Sequence, residues 1–415
     1  MHKRRVVITG MGLVSCYGSD LNVFYNNLLT GVSGVSNITS FDCDDLPTRF
    51  GSSVKDFDPI EFLDKKQARR VDPCIAYAIA AGKRAIAHSA VDMKSLNKER
   101  AGILIGSGIG GMRVYSEGVE AIFNKNYRKV SPFFVPFILT NMPGALLAIE
   151  LGFKGPNYGI STACATSNFA VVAAANHIRS GDVDLMLAGG VEASMNKMCI
   201  AGFSSSRALS RNNDDCKCAS RPWDKNRDGF VIGEGCGVVV LESLEHALDR
   251  GATILAEYKD GYIACDAFHI TEPTPDGSEI ARCIGGALKK AQLKPEEIDY
   301  INAHATSTQS GDLCEIRALK KVFGDHIYKV KVNATKSLIG HALGASGALE
   351  LITTIMSIQN NMVHPSINVT DPEDEIDGID IVRDVKQDCN VRNAISNSFG
   401  FGGHNSVLIV SKYVE

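Results

Sequence analysis

The stretch from Gly155 to Gly181, GPNYGISTACATSNFAVVAAANHIRSG, decides how the rest of the chain is interpreted. Residues 158–161 predict a short strand entering a turn, and residues 167–179 predict an apolar, alanine-rich helix that ends at Gly181. Cys164 lies at the corner between them, where free backbone N–H groups and the helix dipole favour a thiolate that can attack a carbonyl carbon. A buried structural cysteine fits the same local pattern. The choice between these interpretations depends on the rest of the chain.

Length and composition indicate a globular protein with two core units. The chain has 415 residues, 45% of them hydrophobic, and its net charge of −4 gives no global basicity for binding nucleic acid. Its twelve cysteines are too sparse for a disulfide scaffold, so a reducing compartment is expected. The opening residues MHKRRVVITGMG predict a strand rather than a signal or transit segment. The apolar region 133–149 is broken by prolines and is too short for a membrane span.

Short apolar strands alternate with helical segments along the chain, which is typical of α/β layers. The predicted strands are 5–9, 103–106, 184–188, 237–242, 254–262, 300–303, 330–333, 394–397 and 406–411. The predicted helices are 73–89, 167–179, 279–291, 312–323 and 346–360. A new strand-and-helix series begins after Arg250, so we predict two halves, 1–250 and 251–415.

A glycine pattern of the dinucleotide-binding type follows one predicted strand. Gly106, Gly108 and Gly111 match G-x-G-x-x-G. Residues 121–149 contain no acidic side chain, although a ribose-binding carboxylate is needed about 20 residues further on. We therefore expect no dinucleotide site.

Two further motifs suggest metals but do not fit them. The run DKNRDGFVIGEG from Asp224 resembles a calcium loop, yet Gly235 occupies the bidentate position and the glutamate falls one residue early, at Glu234. Cys216 and Cys218 lack a second pair at zinc spacing, and the ten histidines include no H-x-x-x-H arrangement. We expect a tight acidic turn at the first motif and no metal.

Two histidines follow predicted strands in similar turns. NAHATST places His304 after one strand, with Thr306 and Thr308 close behind, and NATKSLIGHALGASGALE places Lys336 and then His341 after another. The second motif continues into a helix that carries Glu350. Histidines at the carboxyl ends of strands face the usual crevice of α/β proteins. Each could be structural alone, but two in matching turns are harder to explain by packing.

A last motif, NSFGFGGHNS, predicts an exposed glycine-rich turn. There Phe401 can bring a backbone amide and an aromatic wall close to a ligand. A sheet-edge turn with a structural His404 is the plainer interpretation.

Taken together, these motifs resemble those of the β-ketoacyl-acyl carrier protein synthases, the elongating enzymes of the thiolase superfamily. The resemblance runs from VVITGMG through GPNYGISTACATS, SRPWDKNRDGFVIGEG, NAHATST and KSLIGHALGASG to SNSFGFGGHNS. It implies a thiolase-like five-layer αβαβα fold built from two similar halves, working as a homodimer. It also implies that Cys164 is the acylated nucleophile, that His304 and His341 are the catalytic histidines, and that Lys336 accompanies them.

The implied reaction is acyl transfer to Cys164 followed by decarboxylative condensation with malonyl-acyl carrier protein in type II fatty acid biosynthesis. The amides of Cys164 and Phe401 would hold the tetrahedral oxyanion, and neutral histidines would donate to the enolate. Lys336 would act by charge, with Glu350 as a candidate partner. No metal and no cofactor are expected, because the substrates travel on the phosphopantetheine arm of the acyl carrier protein.

The resemblance also assigns binding residues. Medium to long saturated acyl chains are expected in a tunnel whose far end, near the dimer interface, is bordered by Ile109 and Phe134 and whose mouth is lined by Phe203 and Phe401. Thr306 and Thr308 would hold the phosphopantetheine arm. A basic patch for the acidic carrier protein is expected at Lys65, Lys66, Arg69, Arg70, Arg128, Lys129 and Arg207. The plainer alternative is that these charges are solvated surface.

Three alternatives remain open. A degradative thiolase normally needs a second reactive cysteine near the C-terminal turn, whereas here the late Cys389 lies outside that turn. An initiating synthase would pair one histidine with an asparagine, and a noncatalytic partner subunit would have lost the nucleophile.

The sequences LTNMP and CATSN are typical of plastid and related bacterial members, so we expect a bacterial cytoplasmic enzyme or a mature form in the plastid stroma. Gln309 stands where many relatives carry proline or a small apolar residue, which makes the turn before it less certain.

Overall fold

The computed structural model describes residues 4–415, so the first three residues of the predicted first half lie outside it. Its strands are β1 (Val6–Val14), β2 (Ser36–Asn37), β3 (Phe50–Gly51), β4 (Ala101–Gly106), β5 (Leu185–Glu192), β6 (Gly235–Ser243), β7 (Ala256–Cys265), β8 (Tyr300–Asn302), β9 (Lys331–Asn333), β10 (Met362–Val363), β11 (Gln387–Asp388), β12 (Asn393–Gly400) and β13 (His404–Ser411). Its α-helices are α1 (Leu21–Leu29), α2 (Lys65–Ala68), α3 (Pro73–Ser89), α4 (Met112–Asn124), α5 (Phe134–Ile138), α6 (Met142–Leu151), α7 (Thr166–Ser180), α8 (Lys197–Ser205), α9 (Leu244–Asp249), α10 (Ser278–Ala291), α11 (Gln309–Phe323), α12 (Lys336–Ile339) and α13 (Ser346–Asn360). Short 3-10 turns at Ala163–Ala165 and Leu343–Ala345 lead into α7 and α13.

The main sheet repeats one pairing pattern twice. Its nine strands lie in the order β4-β5-β6-β1-β7-β13-β12-β8-β9. In the first group β1 is antiparallel to β6, β6 is antiparallel to β5, and β5 is parallel to β4. In the second group β7, β13, β12 and β8 follow the same sequence of pairings. The switch between groups falls between β6 and β7 along the chain, and the predicted division at residue 250 stays a prediction.

The helices and the two groups of strands together form five layers. Helices α7 and α13 pack against each other and against strands of both groups. Helix α3 covers the other face of the first group and packs on α6, while α10 covers the second group and packs on α11. The predicted αβαβα architecture is confirmed. The 3-10 turns that lead into α7 and α13 contact each other, so the N-terminal ends of the two helices meet inside the molecule.

Helix boundaries follow local chemistry. Helix α3 begins at Pro73 because the Asp72 carboxylate accepts a hydrogen bond from the Cys74 backbone N–H at 3.0 Å. Helix α7 ends at Ser180 and is capped by Gly181, whose φ of +83° lies in the left-handed region. Both ends match the prediction.

One predicted strand is wrong. Residues 158–161 form no strand, and only Asn157 makes an isolated parallel bridge, to Ile103. The segment is largely exposed and pairs with no strand over more than that single bridge. It therefore approaches Cys164 as an irregular loop. The apolar region 133–149 forms the separate helices α5 and α6. Within residues 4–415, no helix combines the length and apolar character needed to cross a bilayer.

Candidate active site

Cys164 lies in the 3-10 turn that precedes α7 and is half-buried. The end of β12 comes so close that a Cβ placed on Gly400 would lie 3.0 Å from the Cys164 backbone nitrogen and 2.7 Å from the Thr162 backbone oxygen. Only glycine fits at this approach. The glycine-rich turn carrying Phe401 therefore lies directly beside the sulfur, as the family resemblance implied.

His341 reaches the same sulfur from the second half of the chain. Its Nε2 lies 3.0 Å from Cys164 Sγ, although 177 residues separate the two. Its Nδ1 lies 2.8 Å from Ser346 Oγ at the start of α13, and its ring meets the edge of Phe230 with centroids 5.2 Å apart. These contacts fix the ring between a hydroxyl and the thiol.

His304 approaches from the end of β8. Its backbone N–H donates to a carboxylate oxygen of Glu315 at 2.9 Å, which anchors the turn. Lys336 Nζ lies 3.3 Å from His304 Nδ1 and forms a buried ion pair with Glu350 at 2.5 Å. The His304 and His341 rings are nearly perpendicular, with centroids 5.5 Å apart.

Both histidines are held neutral. Burial lowers the pKa of His304 well below its usual value, and the charge of Lys336 and the neighbouring His341, with which it would compete for a proton, lower it further. Burial and Lys336 also lower the pKa of His341 well below its usual value. Because an ammonium group has only donors, His304 Nδ1 must accept, so its proton lies on Nε2. The Ser346 hydroxyl can donate or accept, so it is compatible with either tautomer of His341.

The prediction of a resting thiolate at Cys164 is wrong. Burial raises the pKa of the Cys164 thiol to about 12, against the lowering effect of Lys336 and with a further rise from Glu192. The backbone amides of Phe401 and of Cys164 itself also lower this pKa, because both face the sulfur. Desolvation outweighs these favourable groups, so the free protein carries a thiol.

A cavity of about 480 Å³ opens beside these groups. Its lining includes these residues singled out from the sequence: Ile109, Cys164, Phe203, Arg207, His304, Thr306, Thr308, His341 and Phe401. Lys336 is absent from the lining because it lies behind His304. Phe134 does not line the cavity of the single chain, because its ring stacks on Tyr115 and covers Gly118 of α4. Its place at the far end of the tunnel near a dimer interface stays a prediction.

Thr306 and Thr308 share one wall of the cavity. Their hydroxyl oxygens lie 3.0 Å apart, and the intervening Ser307 has a φ of +68°. Buried Asp312 holds this turn by accepting from the Ser307 and Thr308 backbone N–H groups, and Arg227 donates to the Thr308 carbonyl at 2.9 Å. The turn is thus rigid despite Gln309 at its end.

The motifs set aside earlier have structural uses. The Asp224 carboxylate accepts from the backbone N–H groups of Asn226, Thr370 and Asp371, which occupies the calcium-like turn with protein donors. Among residues 4–415, no cluster of three or more His, Cys, Asp or Glu side chains is arranged to hold a metal ion. The glycine pattern after β4 receives the buried carboxylate of Glu192.

Sequence reasoning missed several residues of the site. Glu192, Phe230, Leu343 and Phe399 line the cavity, and Ser346 supports His341. Ser346 and Phe399 lie inside motifs already quoted, so their positions were visible although their roles were not. One feature of the sequence could have singled out Glu192, because an acidic residue at the end of an apolar strand is unusual in a protein core.

The seven basic residues predicted to dock a carrier protein are all exposed. Lys65, Lys66, Arg69 and Arg70 line a shallow depression around α2. Arg70 also stacks on the Phe133 ring at 5.5 Å. Arg128 and Lys129 lie in the turn after α4, and Arg207 lies at the cavity rim.

Family models match most of the chain. The model described as "Beta-ketoacyl synthase, N-terminal domain" matches residues 3–247, and the one described as "Beta-ketoacyl synthase, C-terminal domain" matches residues 255–370.

Individual proteins are similar over almost the full length. The chain is 54% identical to chloroplastic 3-oxoacyl-[acyl-carrier-protein] synthase I of Arabidopsis thaliana, covering 99% of this chain and 87% of that protein. It is 45% identical to 3-oxoacyl-[acyl-carrier-protein] synthase 2 of Synechocystis, covering 100% and 99%. Among solved structures, a type II polyketide ketosynthase in complex with its acyl-carrier protein superposes with a TM-score of 0.92 at 31% identity, covering 100% of both chains. A β-ketoacyl synthase from Burkholderia phymatum superposes equally well at 33% identity, covering 99% and 100%.

Proposed function

The chain belongs to the β-ketoacyl synthase family, and from that premise we propose how its cavity carries out the reaction. It is a 3-oxoacyl-acyl carrier protein synthase, an acyltransferase of type II fatty acid elongation with a thiolase-like fold. One observation carries the mechanism: Cys164 Sγ lies 3.0 Å from His341 Nε2, in a cavity that His304 shares.

Acyl transfer starts from a thiol. As Cys164 Sγ attacks the thioester carbonyl of acyl-carrier protein, His341 Nε2 accepts the thiol proton. The same nitrogen returns that proton to the departing carrier thiolate. One carbon–sulfur bond forms and one breaks, which leaves an acylated Cys164 and a carrier with a free thiol.

Decarboxylation of the malonyl thioester generates the nucleophile. The bond to the carboxylate breaks, carbon dioxide leaves, and the electron pair forms an enolate with its charge on the thioester oxygen. His304 donates from Nε2, because Lys336 occupies its Nδ1. His341 donates from Nε2 in the tautomer whose Nδ1 accepts from Ser346.

Condensation then returns the enzyme to its resting state. The enolate carbon attacks the acyl-Cys164 carbonyl, and the backbone amides of Cys164 and Phe401 hold the oxyanion, since both already face the sulfur. Collapse expels the Cys164 thiolate, which takes one proton from solvent. The products are 3-oxoacyl-carrier protein and carbon dioxide.

Lys336 acts by charge and not by proton transfer. It lies outside the cavity lining, hydrogen-bonded to Glu350 and His304. Burial raises the pKa of Glu350 to about 7, against the lowering effect of Lys336. The contribution of Lys336 is to keep His304 neutral and in one tautomer.

The binding surfaces are proposed from position. Medium to long acyl chains extend past Phe203 and Ile109, and the phosphopantetheine arm hydrogen-bonds Thr306 and Thr308. Acidic carrier protein docks on the basic patch around α2, with Arg128, Lys129 and Arg207. No further cofactor enters these steps.

A homodimer is proposed from exposed apolar side chains on and around α4, α5 and α6. Phe123 is 83% exposed, Tyr127 74% and Ile149 72%, which is unusual for large apolar residues of a monomer. Phe134 of α5 would then lie near the interface. For location we propose the bacterial cytoplasm or, for a mature form, the plastid stroma, since the relatives include both chloroplastic and bacterial proteins.

Mass spectrometry tests the assignment. Mixing the protein with acyl-carrier protein is expected to add one acyl mass to the peptide containing Cys164, and malonyl-carrier protein is expected to remove it as 3-oxoacyl product. A panel of acyl-carrier proteins of graded length then gives the chain-length range. An unmodified Cys164, or an acyl adduct that malonyl-carrier protein never discharges, would contradict the proposed function.

A further inference from the structure

Glu192 ends β5 as a fully buried carboxylate at the cavity wall. One of its oxygens accepts from Ser107 Oγ at 2.8 Å and from the Ile109 backbone N–H at 3.1 Å. The other accepts from the backbone N–H groups of Gly108 and Gly344, both at 2.9 Å. A single side chain therefore joins the turn after β4 to the turn that follows His341.

This carboxylate is packed as well as hydrogen-bonded. A Cβ on Gly108 would lie 2.8 Å from the carboxylate oxygen, and one on Gly344 would lie 2.5 Å from it. The glycine-rich turn presents its N–H groups as such turns do to a phosphate, but here the anion belongs to the chain itself. Neither turn can move without breaking a hydrogen bond to a buried charge.

Ile109 is the residue whose position this arrangement controls. Its backbone N–H is held by Glu192, while its side chain lines the cavity. That side chain, like Phe203, packs against a buried apolar cluster that includes Ile200 and Leu343. Leu343 precedes Gly344, so Glu192 holds two apolar wall segments at a fixed distance.

We propose that Glu192 is a positioning residue that sets the acyl-length selectivity of the cavity by holding the Ile109 backbone against the turn containing Gly344. This inference rests on the proposed function, because it takes the ligand of the apolar wall to be an acyl chain. With the backbone held, only the Ile109 side chain can yield to a longer chain. If the Ile109 backbone is no longer held by Glu192, the whole turn after β4 can move to make room for the longer chain.

Glu192→Gln tests the proposal with little change in volume. An amide nitrogen at one oxygen position would face the Ile109 N–H, and at the other it would face the N–H groups of Gly108 and Gly344. Either orientation therefore removes at least one of the hydrogen bonds that hold the two turns together. The ratio of kcat/KM for palmitoyl-carrier protein to that for hexanoyl-carrier protein is expected to rise about tenfold, the scale of one lost hydrogen bond to a charged group. A general loss of folding would lower both values and leave the ratio unchanged.

Glu242→Gln is the matched control. Glu242 is equally buried on the neighbouring strand β6 and is hydrogen-bonded to Thr9, His246 and Arg250, but it does not line the cavity. Its substitution is expected to lower the melting temperature without changing the length ratio.

A double variant shows whether the effect passes through Ile109. Ile109→Ala is expected to raise the ratio by itself, and adding Glu192→Gln should change it by less than about twofold. A folded, active Glu192→Gln enzyme with the wild-type ratio, or full additivity with Ile109→Ala, would overturn the inference. In either case wild-type turnover would leave the proposed function intact, whereas an inactive wild type would contradict that function first.

Discussion

His304 and His341 share one cavity but have different partners. The inner nitrogen of His304 meets the ammonium group of Lys336, whereas that of His341 meets the hydroxyl of Ser346. An ammonium group only donates, while a hydroxyl donates or accepts. The first environment therefore imposes one tautomer, and the second permits both.

This difference explains why two histidines are needed for two steps. Acyl transfer requires a nitrogen that first accepts and then returns a proton, and only His341 is both free to do so and 3.0 Å from the sulfur. Enolate stabilisation requires donors, which His304 provides at all times. His341 is therefore a proton relay that also donates a hydrogen bond to the enolate, and His304 is a donor only.

The largest effect is expected for His341→Ala, because it removes a group from both steps. Condensation should lose on the order of 3 kcal/mol of transition-state stabilisation, the scale of one oxyanion donor. Acylation of Cys164 should slow by about 10²-fold, the lower end for general acid-base catalysis. Single-turnover mass spectrometry of the Cys164 peptide measures the first step, and malonyl-dependent product formation measures the second.

His364→Ala serves as its control. His364 is also fully buried, and burial lowers its pKa to about 4, but it does not line the cavity. It should cost stability and leave both steps near wild type. Normal acylation in His341→Ala would show that the thiol proton leaves by another route.

His304→Ala should affect one step only. Condensation is expected to lose about 3 kcal/mol, as for the other histidine, because an enolate donor is gone. Acylation should stay within about twofold of wild type, since the histidine hydrogen-bonded to the sulfur is His341 and the loss of His304 removes only a transition-state donor of the later step. Accumulation of acylated Cys164 that malonyl-carrier protein discharges slowly is the signature. Full malonyl-dependent turnover would refute the donor role.

The sequence was sufficient to bring the reacting groups together. Cys164, His304 and His341 each follow a strand or loop in a small-residue turn, and parallel placement of those turns at one sheet edge predicts their meeting. It was insufficient for properties that depend on distant packing. The Glu192 contact to Gly344 spans 152 residues, and no local pattern reports it.

The thiol of Cys164 illustrates the same limit. A helix N-terminus favours a thiolate locally, but burial by segments from the whole chain raises the pKa to about 12. Likewise, residues 158–161 have β propensity but form no strand, because the pairing with a neighbouring strand stops at the isolated bridge between Asn157 and Ile103. Phe134 was assigned to the far end of the tunnel, near a dimer interface, by resemblance alone; in the single chain it packs on α4, and that assignment stays a prediction.

The raised thiol pKa predicts how Cys164 should respond to pH. Because the pKa of about 12 lies above neutral pH, the thiolate fraction is small and rises with pH. The rate of iodoacetamide labelling should therefore increase about tenfold per pH unit from about pH 7 to about pH 9, without a plateau. A plateau below about pH 8 would instead show a Cys164–His341 ion pair and would undo the distinction between relay and donor.

The smallest effect is expected for Ser346→Ala, which leaves both histidines in place. Without the hydroxyl, His341 Nδ1 loses its hydrogen-bond partner, so the exchange between its tautomers is no longer supported. Acylation and condensation should each fall by about three- to tenfold, the scale of one net hydrogen bond. His304-dependent donation should be unchanged, so the double variant with His304→Ala should show multiplied losses.

Ser357→Ala makes the comparison fair. Ser357 is a buried serine on the same helix, and its hydroxyl donates to the Thr353 carbonyl at 3.0 Å, away from the cavity. Its substitution should leave both steps unchanged. If Ser346→Ala matches Ser357→Ala while His341→Ala stays impaired, then His341 works in a single tautomer, and the two histidines differ in distance to the sulfur rather than in chemistry.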